Sequence, residues 1–238
     1  MTIYNVKLTG KQEIAKDTME FFLEKPAGFE FRAGQFCDIT LKDPPETDAK
    51  GNVRGFSFVT APSENRLAVA TRLRDTAFKR VFRKLPDNTV VELDAPYGDF
   101  TLQKSTTAPA VFIIGGIGVT PVRSIIAQAT HDRTNHHITL IHANRTAADA
   151  PFAADFKQLA QQNRNFTYVP VYTDSPSDKA VTEHGRVTAD IVKRQVANVA
   201  APVYYLAGPQ GMVKAMRELL IKIGANEDNI RTEEFEGY

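Results

Sequence analysis

A chain of 238 residues with 42% hydrophobic content carries enough apolar material for one large core or two ordinary ones. Its 29 Lys and Arg against 28 Asp and Glu leave a formal charge of +1, which excludes an overall electrostatic bias toward nucleic acid or acidic membranes. The single cysteine, Cys37, excludes an internal disulfide and a cluster held by four thiolates, and reads as a small buried hydrophobe.

The N-terminus lacks a basic segment followed by an apolar run, so no signal peptide is expected, and the weakly polar stretch 110–122 is too short to cross a bilayer. A cytoplasmic location follows by default. From Ile3 to about Leu102 short alternating segments recur: "IYNVKLT", "TMEFFLEK", "QFCDITL", "RGFSFVT", "RLAVATRL" and "VVELDAP". Strands at this spacing predict an antiparallel β-barrel or sandwich, with the helix "AFKRVFRKL" covering one end through Phe78, Val81, Phe82 and Leu85. "DPPETDAKGN" between the third and fourth strands reads as a mobile loop.

The fourth strand is unusual. Period-two alternation puts Arg54, Phe56, Phe58 and Thr60 on one face, and an arginine is almost never fully buried unless it is paired. A ligand with an anionic end and a flat apolar end would satisfy both residue types.

After "QKSTTAP" the pattern changes. The apolar strand "AVFII" is followed by helices from about Pro121, Ala150, Thr188 and Gln210, alternating with the strands "HITLIHA", "FTYVPVY", "VYYLA" and "IRTEEF". This order predicts a C-terminal α/β domain with a parallel sheet, and a boundary that divides the chain into residues 1–104 and 105–238. "IIGGIGVTPV" leads from a buried strand through Gly115, Gly116 and Gly118 into a helix with Pro121 in its first turn. Glycines admit a ligand's phosphates to the backbone, and the helix N-terminus offers unpaired N–H groups, so the loop reads as a pyrophosphate site. It is not G-x-G-x-x-G, and the second strand ends in "HANRT" rather than on an acid. Arg145 there is a candidate for gripping a 2′-phosphate, an exposed arginine being the alternative, and Arg186 in "EHGRVT" stands in the same relation.

Arg54-x-Phe56-Ser57, Gly115-Gly116-x-Gly118-x-Thr120-Pro121, Ala207-Gly208-Pro209 with Met212, and an aromatic C-terminus occur in this order along the whole chain. Together they resemble the ferredoxin–NADP reductase family of flavoproteins. The resemblance implies an FAD-binding barrel domain and an NAD(P)-binding domain. It implies that Arg54 pairs with the FAD pyrophosphate, that Phe56 stacks on the isoalloxazine, and that Ser57 hydrogen-bonds near flavin N5. Phe58, Thr71 and Thr76 join the FAD set; Gly115, Gly116, Gly118, Thr120, Pro121, Arg145, Gly208, Pro209 and Met212 form the NAD(P) set. Because Ser57 alternates with Phe56, a bend at Gly55 is expected to turn it toward the flavin.

The chain departs from the family at Thr76-Ala77-Phe78-Lys79, where members carry G-x-x-S, and at Ala207, where many carry a cysteine. The tail "EEFEGY" aligns in two ways, giving a catalytic acid and covering ring at Glu236 and Tyr238 or at Glu234 and Phe235. The implied activity is hydride transfer from NAD(P)H to FAD, with electrons passed to a separate carrier such as ferredoxin or flavodoxin. A flavin reductase using free flavin and a non-catalytic electron-transfer subunit are the alternatives. Lys79, Arg80, Arg83 and Lys84 are candidates for a basic rim facing an acidic carrier. The five histidines lack metal-ligand spacing, no metal is expected, and the chain is expected to be a monomer.

Overall fold

The structure is a computed structural model and describes residues 2–174 and 183–234. Its first half contains β1 (Thr2–Ala15), β2 (Thr18–Leu23), β3 (Phe36–Thr40), β4 (Val53–Ser57), β5 (Leu67–Arg72) and β6 (Val90–Tyr97), joined as an antiparallel sheet in the order β4-β3-β6-β1-β2-β5. The long β1 pairs with β6 through its first residues and with β2 through its last. A bridge between Phe58 and Val69 then joins the chain after β4 to β5, which closes the sheet into the expected barrel.

Alternation fills the interior with Val6, Leu8, Phe21, Cys37, Ile39, Phe56, Phe58 and Leu93, so Cys37 is the buried hydrophobe its context suggested. Helix α1 (Ala77–Lys84) plugs one end: Phe78, Val81 and Phe82 are buried, and Phe82 stacks on Phe21 at 4.0 Å. Thr76 caps it by accepting a hydrogen bond from the Lys79 N–H.

The second half holds β7 (Ala110–Gly115), α2 (Thr120–His131), β8 (Ile138–Asn144), α3 (Ala153–Gln162), β9 (Phe166–Tyr172), β10 (Glu183–His184), α4 (Ala189–Gln195), β11 (Val203–Gly208), α5 (Gln210–Lys222) and β12 (Ile230–Glu234). Every pairing in the sheet is parallel, in the order β10-β9-β8-β7-β11-β12. Burial on both faces explains the unbroken apolar run of β7. Phe112 and Ile114 pack with α2 and α3, whereas Val111 and Ile113 pack with α4 and α5. The two-residue β10, tied to α4 by the Glu183–Arg194 ion pair, has no clear signal in the sequence.

The core on the α2 face also takes in Val59, Ala68, Ala70 and Phe100, so the two halves share apolar contacts across their seam. Ser124 Oγ donates to the Thr60 carbonyl at 2.8 Å, and Arg123 pairs with Glu64 and, at 3.3 Å, with Asp155. The end of the fourth strand is thereby fastened to α2. No helix among the described residues is long and apolar enough to cross a membrane.

Candidate functional site

In the parallel sheet the order reverses between β7 and β11, and ligands of such sheets bind outside the carboxyl ends of the strands at that point. Both segments singled out in the second half meet there. A Cβ on Gly118 would lie 2.9 Å from the Gly208 nitrogen and 3.0 Å from the Ala207 carbonyl. One on Gly115 would meet Met212 Sδ at 2.5 Å, and one on Gly208 would lie 3.1 Å from the Gly115 backbone. Three of the four glycines therefore interlock the two loops. Of the four, Gly116 is left-handed at φ +53° with open space where a Cβ would stand, and so does not take part in the interlock.

Thr120 spends its hydroxyl on the Ile117 carbonyl, and Pro121 occupies the first turn of α2 as anticipated. Below the loop, His142 is fully buried and donates from Nε2 to the Gly116 carbonyl at 3.0 Å. Burial pulls its pKa down to about 4, so the ring is neutral at physiological pH and fixes the carbonyl side of the loop.

On the barrel side, Arg54 lies over the Phe78 ring at the mouth of the barrel, with its guanidinium carbon 5.3 Å from the ring centre. It is paired: Nη2 donates to Asp48 Oδ1 at 2.7 Å, and Nη1 to the carbonyls of Lys50, Gly51 and Val53. Phe56 points into the barrel with 8% of its surface exposed, 5.8 Å from Phe78 and 5.9 Å from Phe82. Phe58 does not meet the expectation of a flavin contact. It has 0% exposure between Phe29 and Phe31 and is core.

The bend anticipated at Gly55 is absent, because β3 and β4 pair in register from Phe36–Ser57 to Thr40–Val53. No bend is needed. Val59, two residues beyond Ser57 and on the same face by alternation, packs in the second core, so that face of the strand is turned toward the seam. Ser57 Oγ is buried there without a hydrogen-bond partner among the described residues. Thr71, also buried, donates its hydroxyl to the Arg72 carbonyl, and Thr76 serves as the helix cap.

Two further groups emerge that sequence reasoning missed. Glu233 in β12 pairs with Ala207, beside the glycine loops, and its Oε2 is buried without a partner among the described residues. Burial, with a smaller push from the Asp99 carboxylate, raises its pKa to about 7. Asn144, at the carboxyl end of β8, buries both amide atoms unpaired among the described residues. Alternation in "IRTEEF" and the polar residue that ends the strand "ITLIHAN" were the available signals.

Of the residues expected in the tail, Phe235, Glu236 and Tyr238 lie outside the described residues, and Glu234 is described only as backbone paired with Gly208. Arg145 is exposed and donates to Asp174 Oδ2 at 3.2 Å. The basic rim is weaker than expected. Arg80 is paired with Glu46 and Asp75, and Lys79 turns inward to the Arg72 carbonyl with its pKa pulled down to about 8 by burial, which leaves Arg83 and Lys84 exposed.

The residues present fit a flavin and a nicotinamide nucleotide. Ser57, Glu233 and Asn144 bring hydroxyl, carboxyl and amide groups without partners among the described residues to the seam and to the carboxyl edge of the sheet. Leaving each unmet costs about 1–3 kcal/mol, a burden that a polar ligand removes.

Residues 112–218 match the family model for the oxidoreductase NAD-binding domain. The chain is 27% identical to the reductase component of propane 2-monooxygenase from Rhodococcus jostii (strain RHA1), over 96% of this chain and 62% of the relative. It is 24% identical to a flavohemoprotein of Bacillus subtilis (strain 168), over 94% and 57%. The chain thus spans about three fifths of the length of these curated relatives. Among solved structures, the Amycolatopsis cytochrome P450 reductase GcoB superposes with a TM-score of 0.84 at 26% identity, over 98% of this chain and 70% of that one. A ferredoxin NADP+ reductase from Neisseria gonorrhoeae with bound FAD and NADP shares the fold at a TM-score of 0.81 and 20% identity, over 98% and 99%.

Proposed function

We propose that this chain, which is ferredoxin reductase-like and carries an oxidoreductase NAD-binding domain at residues 112–218, is an NAD(P)H-dependent flavoprotein reductase that holds FAD and passes electrons to a separate carrier. The observation that carries this reading is the seam. A hydroxyl without a partner among the described residues, Ser57, is turned out of the barrel toward the half that carries the switch-point loops, with Glu233 beside those loops. Bound FAD supplies a two-electron acceptor that can release electrons one at a time.

The chain's own residues hold and orient. Ser57 offers a hydrogen bond at the ring edge, Arg54 and the α1 N-terminus offer positive charge to phosphates, and Gly116 admits the nicotinamide nucleotide to the backbone. Glu233, poised near neutral pH, holds or releases a proton beside the Gly208 loop. Stacking on Phe56 is confined to the small part of the ring left open.

For the nucleotide we favour NADH. Asp174 already balances Arg145, and a 2′-phosphate brought to that arginine would meet the carboxylate as well. The carrier is a small redox protein, ferredoxin or flavodoxin in kind, with Arg83 and Lys84 the exposed cations of α1 available to it. Rapid mixing of the purified, flavin-loaded protein with NADH and with NADPH tests the proposal. Bleaching of the flavin band, faster with NADH, is expected; a protein that binds no flavin overturns it.

A further inference from the structure

The loop between β3 and β4 does something its composition did not announce. Its base is pinched by Leu41 and Asn52, which exchange hydrogen bonds of 3.0 Å from the Leu41 N–H and 2.8 Å from the Asn52 amide. Its tip reaches over α1. Asp48 Oδ1 accepts from Arg54 Nη2 at 2.7 Å and from the Lys50 N–H at 2.9 Å, and its negative charge is further favoured by the nearby N–H of Ala77, the first residue of α1. Glu46 holds Arg80 on the same helix at 2.6 Å.

The contacts of Asp48 are those a phosphate would make. A carboxylate that takes one guanidinium N–H and a turn N–H, with its charge set beside a helix terminus, engages within the chain the kinds of donor that recognise a phosphate ester. The loop is also poorly anchored by packing. Behind Pro44 and Pro45 lies a cavity of about 110 Å³ lined by Leu41, Val81, Leu85 and Val91, so charge contacts rather than a filled apolar interface keep the tip in place. Gly51, at φ +70° and with open space around it, supplies a joint at the loop base.

We infer that Asp48 is a built-in occupant of the flavin phosphate cradle, so that a phosphate-bearing flavin binds by displacing residues 45–51 from Arg54 and the α1 N-terminus. This rests on the proposal that the chain binds flavin through Arg54. Asp48 then sets flavin affinity from outside the ring site and makes the flavin an exchangeable ligand rather than a permanently held one. The competition concerns the phosphate alone, so riboflavin, which has none, does not sense it.

Titration of the full chain, freed of flavin, with riboflavin, FMN and FAD, followed by flavin fluorescence, tests this in the wild type, Asp48→Asn and Arg54→Ala. Asp48→Asn is expected to tighten FMN and FAD by roughly ten- to hundredfold, the worth of one charge-assisted contact, and to leave riboflavin unchanged. Arg54→Ala is expected to weaken both phosphate-bearing flavins. Hydrogen exchange supplies a second readout: FAD added to the wild type should speed exchange of the amides in residues 45–51. Equal or weaker FAD binding by Asp48→Asn, a matching gain for riboflavin, or protection of 45–51 by FAD overturns the inference while flavin binding stands. Failure of both wild type and Asp48→Asn to bind any flavin overturns the proposed function itself.

Discussion

Replacing Glu233 by Gln tests the electrostatics of the seam without changing its shape. The native carboxyl keeps its proton up to about pH 7, whereas the unfolded chain releases it near 4.5. Between those values the native state binds more protons than the unfolded state, so this group lowers stability as pH rises, and the penalty is complete above about pH 7. At about 1.4 kcal/mol per pH unit, the displacement from 4.5 to about 7 amounts to about 3 kcal/mol. His142 works in the opposite direction. Its folded pKa of about 4 against 6.5 unfolded means that stability rises with pH across that window. The two slopes overlap and largely cancel in the wild type, and Glu233→Gln should unmask the rise due to His142.

Urea unfolding of both proteins at about pH 5 and about pH 8 reads the difference, in which every other titration cancels. The variant should gain about 2.5 kcal/mol on the wild type between the two conditions, because part of the penalty is already present at about pH 5. Parallel stability curves would show that Glu233 ionises freely, and the account of a desolvated, poised carboxyl at the seam would fail.

Gly118→Ala should cost about 1–3 kcal/mol of stability and raise the nicotinamide nucleotide Kd, because its Cβ meets the backbone of Ala207 and Gly208. Gly116→Ala has room for its methyl and should lose only about 1–2 kcal/mol through its left-handed backbone; thermal melts that rank the two in the reverse order would contradict the interlock. Asp174→Asn should raise kcat/KM for NADPH relative to NADH by about tenfold, a gain that vanishes when Arg145 is also replaced by Ala. Acid titration of His142→Gln, followed by urea unfolding, should show a weaker loss of stability between about pH 6.5 and about pH 4 than in the wild type, since the proton-excluding imidazole is gone.

Much of the molecule was legible in the sequence because periodicity reports burial directly. The alternating strands of the first half, the unbroken apolar β7 and the change from antiparallel to parallel order all appear where the pattern put them. The motifs around Gly115 and Gly208 likewise fall on segments that meet at the switch point, and Arg54 lies over Phe78 of α1. Their individual roles were less legible. Phe58 looked like a ligand contact because alternation gives a face but not its depth, and the closing bridge to Val69 places that ring in the barrel core.

Three glycines in one loop suggested close approach of a ligand, yet the neighbour that demands Gly118 is the Ala207–Gly208 backbone, some 90 residues away in sequence. Partnerships decided the rest. That Arg145 meets Asp174, and that Glu233 Oε2 and Ser57 Oγ are buried without partners among the described residues, depend on loops and sheet edges brought together only by the folded chain. The sequence by itself determined which elements form and in what order, since those follow from local patterns of polarity. The tertiary structure alone decided which charged groups are already satisfied within the chain and which are left for a ligand, because that depends on donors and acceptors far apart in sequence.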